Sequence, residues 1–318
     1  MPRAVIAGCR AKAVASHGQT AATSTRRAWS ASRSEARSGL LFVAPYLIVF
    51  TVLLIYPLFS GIWLSLHKAD LFGGSQFIGA QNYARLFRDP VFLTAVRNTL
   101  YFVLLTVPPL TLIGLGLALA LNNRSRWSTL LRGLFFSSSV LSVTIVTLIW
   151  RMVLIPDGGL IANLLTAIGR SPVAFLSDAH LALPAIAMTT IWWCIGLPMM
   201  LFLAALQQVP QDLYEAATLD NAGWWRTLAS VTLPSIRRTA LVVVIIELIL
   251  QFQLFGQAQI MTLGGPNNAS LPMVLFIYQV GFQRWDIGYA AAASEILFGI
   301  ILVAAMTQYF AARGREPR

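Results

Sequence analysis

The 318-residue sequence predicts an all-α membrane protein with six transmembrane helices, on its composition, the length of its apolar runs and the placement of its basic residues. Hydrophobic residues make up 57% of the chain and charged residues only 11%, with a mean hydropathy of +0.70. Soluble domains carry about 25% charged residues, so an ordinary soluble globule is excluded.

A bilayer core about 30 Å thick needs roughly 20 apolar residues in a helix, because each residue advances about 1.5 Å and every backbone polar group must bond internally. Six segments meet this condition: residues 41–66, 100–121, 133–150, 181–206, 240–261 and 288–312. Residues 1–37, rich in Ala, Ser and Arg with a single acid, Glu35, have no period that could build a core, and are expected to form a disordered basic cytoplasmic tail. The same composition suits an organellar transit peptide, whereas a Sec signal is excluded by the lack of an apolar core region. The expected organisation is then the tail, a first span with its outer loop over 38–94, a transmembrane domain over 95–312, and a second cytoplasmic tail over 313–318.

Orientation follows from the basic residues. The amino tail, the loop with Arg124, Arg126 and Arg132, the loop with Arg226, Arg237 and Arg238, and the carboxyl end hold sixteen of the 23 Lys and Arg residues. These segments read as cytoplasmic, both termini included. Lys68, Arg85, Arg88, Arg97, Arg151, Arg170 and Arg284 fall in the opposite loops, diluted by Asp70, Asp89, Asp157, Asp178 and Asp286. Within those loops, 77–97 has regular apolar positions and 159–168 reads as a short interfacial amphipathic helix.

The formal charge of +11 does not point to nucleic acid, because the cations are not gathered on one aromatic-interleaved surface. Two cysteines, Cys9 and Cys194, and three scattered histidines give no metal-ligand spacing, and no phosphate-binding Gly-rich loop occurs. No cofactor, metal or catalytic residue is expected.

The most patterned segment is the loop from Pro210 to Pro234, expected on the cytoplasmic side. Leu213, Ala216, Ala217 and Asp220 suit one short helix, whose alanines permit close approach of another backbone while Glu215 and Asp220 offer charge. Asn221 and Gly223 tolerate a left-handed backbone, so a turn is expected there before a second short helix near Trp224. The segment resembles the Glu-Ala-Ala signature of ABC importer permeases, reading Glu215-Ala216-Ala217 through Val231-Thr232-Leu233-Pro234, with Asn221 where the family has Gly.

Further blocks, among them Tyr56-Pro57, Asn82-Tyr83, Asp89-Pro90, Asn98-Thr99, Gly158-Gly159 and Thr262 to Asn267, are similar to the carbohydrate-type permeases, leaving only the amino tail unmatched. The resemblance implies a type I ABC importer permease in a bacterial inner membrane. Its implied partners are a second homologous permease subunit, an ABC ATPase dimer that hydrolyses the ATP, an extracytoplasmic solute-binding protein, and a sugar-like solute. It also implies that residues 207–235 dock on the ATPase, through Glu215, Ala216, Ala217, Asp220, Asn221, Ala222, Gly223, Leu233 and Pro234.

Glu247 and Glu295 lie inside apolar spans, where a carboxylate costs about 2.5 to 3.5 kcal/mol on insertion scales and normally faces a bundle interior or water. At about 100° per residue, Glu247 and Gln251 share one helix face, and Gln253 and Gln257 another. Amides that both donate and accept suit sugar hydroxyls, and equally suit helix-to-helix bonds. Trp192, Trp193 and Phe255 could stack on sugar rings or simply pack. The alternative function is a proton-coupled secondary transporter using Glu247 and Glu295, which would need no Glu-Ala-Ala loop and would usually carry inverted repeats.

Overall fold

The computed structural model describes residues 38–69, 74–123 and 125–313. The expected tail 1–37, residues 314–318, Asp70 and Arg124 lie outside the described residues. The chain divides into two units, Met1–Ser60 and Gly61–Arg318.

In the first unit, α1 (Ser38–Ser65, whose last turn enters the second unit) is an apolar helix. Its backbone widens into a π-helical turn at Thr51–Ile55. Pro57, lacking an N–H and crowding the carbonyl four residues earlier, accounts for that widening. Leu40, Phe42, Leu53, Tyr56 and Phe59 are all exposed.

The second unit continues with a short antiparallel hairpin, β1 (His67–Ala69) and β2 (Ser75–Phe77), in the register His67↔Phe77. This departs from the purely helical expectation. α2 (Gln81–Leu86) follows, then α3 (Pro90–Ala120). α3 begins ten residues before the expected apolar run because Asp89 caps it, accepting from the N–H of Val91 at 2.8 Å, with Pro90 in the first turn. Its polar first turns are not wasted in solvent. Asn98 donates to the carbonyls of Asn268 (2.8 Å) and Leu271 (3.1 Å), and Thr99 Oγ1 accepts from the N–H of Met273 (2.9 Å), so the Asn98-Thr99 pair pins the loop after Thr262.

The expected third span, 133–150, is not straight. It is α4 (Arg126–Val140) and α5 (Val143–Leu154), meeting at 99°. Leu141 and Ser142 are both extended, at ψ 144° and 139°, and the serines before them compete for backbone groups that a continuous helix would use. α6 (Leu160–Ala167) is the short helix expected over 159–168. α7 (Ala182–Cys194) and α8 (Gly196–Leu206) form the fourth span with a 43° bend. Pro198 leaves the carbonyl of Cys194 without its helical donor and so accounts for the bend.

The two bends are tied to each other. Ser138 and Ser139 Oγ both donate to the Trp193 carbonyl at 3.2 Å, and Trp193 Nε1 donates to the Leu141 carbonyl at 3.1 Å. A Cβ at Gly196 would sit 2.7 Å from the Phe136 Cα, so only glycine lets the backbones come this close.

The chain then forms α9 (Gln211–Leu219), α10 (Trp224–Thr227), a π-helical turn at Leu228–Thr232, and α11 (Leu233–Phe252). The expected fifth span breaks after Phe252 and resumes as α12 (Gly256–Met261). α13 (Met273–Tyr278) and α14 (Ile287–Arg313) complete it. Among the described residues, α1, α3, the stretch Trp224–Met261 and α14 are each long and apolar enough to cross a bilayer, and the two bent pairs bring the spans to six if each pair is one.

Among the described residues, the buried apolar side chains form two clusters. One joins Phe92 and Phe102 of α3 with Ile186, Phe276 and Tyr289; the other joins Ala118, Met199, Phe202, Leu206, Ile236 and Val243. The second lies where α3, α8 and α11 meet, and it carries the segment between α8 and α11.

Candidate functional site

That segment holds the patterned loop, and its conformation follows from its residues. α9 ends in a left-handed residue, Asn221 at φ 51°. The N–H of Asn221 bonds the Thr218 carbonyl at 3.0 Å and that of Ala222 bonds the Ala217 carbonyl at 2.9 Å, the double bond pattern of a Schellman cap. The turn therefore uses Asn221 alone. Gly223, expected to share it, has φ −65° and ψ 165° and serves instead as the cap of α10.

The predicted pair of alanines splits: Ala217 is buried, whereas Ala216, Glu215 and Asp220 are exposed. Tyr214 O–H and Thr232 Oγ1 lie 3.3 Å apart, holding α9 to the π-helical turn at the foot of α11. Facing outward are Leu219 (88% exposed), Trp225 (75%) and Trp224 (61%). Leu219 and the Tyr214 brace escaped sequence reasoning. The only available signal was that Leu219, apolar and two residues after Ala217, falls on the opposite side of a short helix from it. Leu233 and Pro234 are exposed at the start of α11, where Pro234 fits the first turn.

Inside the spans, Glu247 and Gln251 are buried, and Gln251 Nε2 donates to Glu247 Oε2 at 3.1 Å. The shared face expected for Gln253 and Gln257 does not exist, because the helix breaks between them. Gln253 is exposed at the end of α11, while Gln257 is buried on α12 with Nε2 3.5 Å from Thr190 Oγ1. Glu295 stands apart, its Oε1 2.9 Å from where a Gly61 Cβ would be. Trp193 is engaged at the bend, Trp192 packs edge-on to Trp150, and Phe255 packs edge-on to Tyr278.

A bundle of broken apolar spans, with an outward-facing helical loop on one end and a buried carboxylate and amide within, defines a multi-pass membrane permease. The family model of the binding-protein-dependent transport system inner membrane component matches residues 111–316. The chain belongs to that family, the non-catalytic permease subunits of ABC importers. It is similar to the probable ABC transporter permease protein YurN of Bacillus subtilis, 33% identical over 87% of this chain and 96% of the relative. The lactose transport system permease protein LacF of Rhizobium radiobacter is also 33% identical, over 88% of this chain and 95% of the relative. Among solved structures, a chain of a bacterial ABC transporter involved in the import of the acidic polysaccharide alginate superposes with a TM-score of 0.78. It is 25% identical and covers 90% of this chain and 99% of that one. Nothing in these likenesses favours the proton-coupled alternative.

Proposed function

We propose that this chain translocates a sugar or sugar-like solute across a bacterial inner membrane, as one of two homologous permease subunits served by an ABC ATPase dimer and an extracytoplasmic binding protein. The observation that carries the solute class is similarity, over about nine-tenths of the chain, to a lactose transport system permease and to a chain of a transporter involved in alginate import. ATP is hydrolysed on the separate ATPase chains. Their closure pushes on residues 207–235, where Glu215, Ala216 and Asp220 with Leu219 and the Trp224-Trp225 pair form the docking face. Ala217, Asn221, Ala222 and Gly223 shape the loop, and Leu233 and Pro234 connect it to α11.

The push reaches the interior through α11, which leads from Pro234 to the buried Glu247 and Gln251. A carboxylate and an amide side by side accept and donate to hydroxyls, and we assign the solute path to this face, with Gln257 beside Thr190. Both termini are assigned to the cytoplasm on the charge bias. Reconstituting the chain with the ATPase and binding protein encoded beside it, and measuring ATPase activity as loaded binding protein is added, tests the assignment. Stimulation by one sugar is the expected outcome. Uptake driven by a proton gradient without ATP would overturn it.

A further inference from the structure

At the end of the spans opposite α9, two adjoining cavities of about 460 and 420 Å³ share Gln81 and Arg85. Arg88 and Asp89 line the first; Lys68, Arg284 and Asp286 line the second. Both carboxylates are already engaged. Asp89 caps α3 and accepts from Tyr289 O–H at 2.9 Å. Asp286 pairs with Arg85 at 2.7 Å and accepts from the Tyr289 N–H at 3.3 Å. Arg85 is held as well, 4.0 Å over the Tyr289 ring. Lys68, Arg88 and Arg284 remain: all three are exposed, and none makes an ion pair among the described residues.

Two further facts bear on what these cations meet. Phe87, next to Arg88 in sequence, and Phe282 and Trp285, flanking Arg284, are exposed, and aromatic side chains at span ends sit at headgroup level. The same bias that orients the chain also works against basic residues on this side, so three that make no ion pair among the described residues offer charge to an anion. Arg and Lys together suit phosphate.

We propose that this rim binds the phosphate of an anionic phospholipid in the leaflet farther from α9, with Lys68, Arg88 and Arg284 as its cations and Phe87, Phe282 and Trp285 seated among the headgroups. The proposal rests on the membrane orientation given above and not on the solute, so the sugar assignment can fail without touching it.

The test uses the assembled transporter in nanodiscs, with labelled phosphatidylglycerol competing against phosphatidylcholine. A cation near an anionic headgroup contributes about fivefold in affinity. The K68Q/R88Q/R284Q variant, which keeps Arg85 and Asp286, should therefore lose phosphatidylglycerol preference by at least about tenfold. No preference in the unaltered transporter, or full preference in the variant, would overturn the proposal. A variant that keeps its lipid preference but no longer responds to binding protein would also overturn it, making the rim a protein-docking surface. Should the variant not assemble, phosphatidylglycerol carrying a photoreactive headgroup, applied to the unaltered transporter, should crosslink to peptides containing Lys68, Arg88 or Arg284. Crosslinks found only elsewhere would refute the site.

Discussion

At the scale of single residues, Asn221 shows how much chemistry one position can carry. A left-handed backbone costs an ordinary L-residue roughly 1–2 kcal/mol, which Asn and Gly largely avoid. Asn221→Gly should thus leave thermal stability unchanged or slightly raised, and Asn221→Val should lower it by about 1–2 kcal/mol, measurable as a reduced melting temperature of the assembled complex. Glu215 is exposed and makes no side-chain hydrogen bond or ion pair among the described residues. Glu215→Lys should accordingly preserve membrane insertion while uncoupling ATP hydrolysis from uptake; normal uptake would remove Glu215 from the docking face. Glu247→Gln keeps the shape and the neighbour Gln251 but not the charge. We expect at least about a tenfold fall in uptake with assembly intact, and an unaltered transport rate would move the solute path elsewhere. The left-handed turn at Asn221 was legible because that backbone role is intrinsic to the residue, whereas the cap at Asp89 was not read and α3 begins ten residues early. Tyr214 and Leu219 were not legible, because a brace and an exposed face depend on which side of α9 meets the protein.

At the scale of elements, hydropathy located the spans but could not detect their breaks. Residues 133–150 are continuously compatible with a span in composition, yet α4 and α5 meet at 99°. Only the packing partner reveals why that bend is tolerated, since its carbonyl at Leu141 is satisfied by the indole of Trp193, some fifty residues later. Helical periodicity likewise placed Gln253 and Gln257 on one face, and the interruption after Phe252 removed that face. Trp193→Phe should weaken the joint between the bends by about 0.6 kcal/mol, up to roughly 2 kcal/mol, the range for polar bonds between membrane helices. Faster amide exchange at residues 138–142, with the rest of the bundle unchanged, would register it; uniform exchange behaviour would show that the indole bond is dispensable.

For the molecule as a whole, the fold class was readable because lipid imposes so few solutions. Length of apolar run and internal hydrogen bonding decide it almost alone. Sidedness is proposed from the Lys and Arg bias, and Cys9 offers a direct measurement. A membrane-impermeant maleimide should label Cys9 in inverted vesicles and not in intact cells, and labelling from outside would invert the whole arrangement. What sequence could not convey is which exposed apolar faces await protein and which await lipid, because both are greasy.

The reciprocal bonds between the third and fourth spans bear on biogenesis as well as on shape. The third span carries a main-chain carbonyl, at Leu141, whose side-chain donor arrives only with the fourth, so it is not self-sufficient at its bend in hydrocarbon. Since an unsatisfied backbone group is costly in lipid, we expect a nascent chain ending short of Trp193 to retain its third span at the protein-lined exit longer than one that includes it.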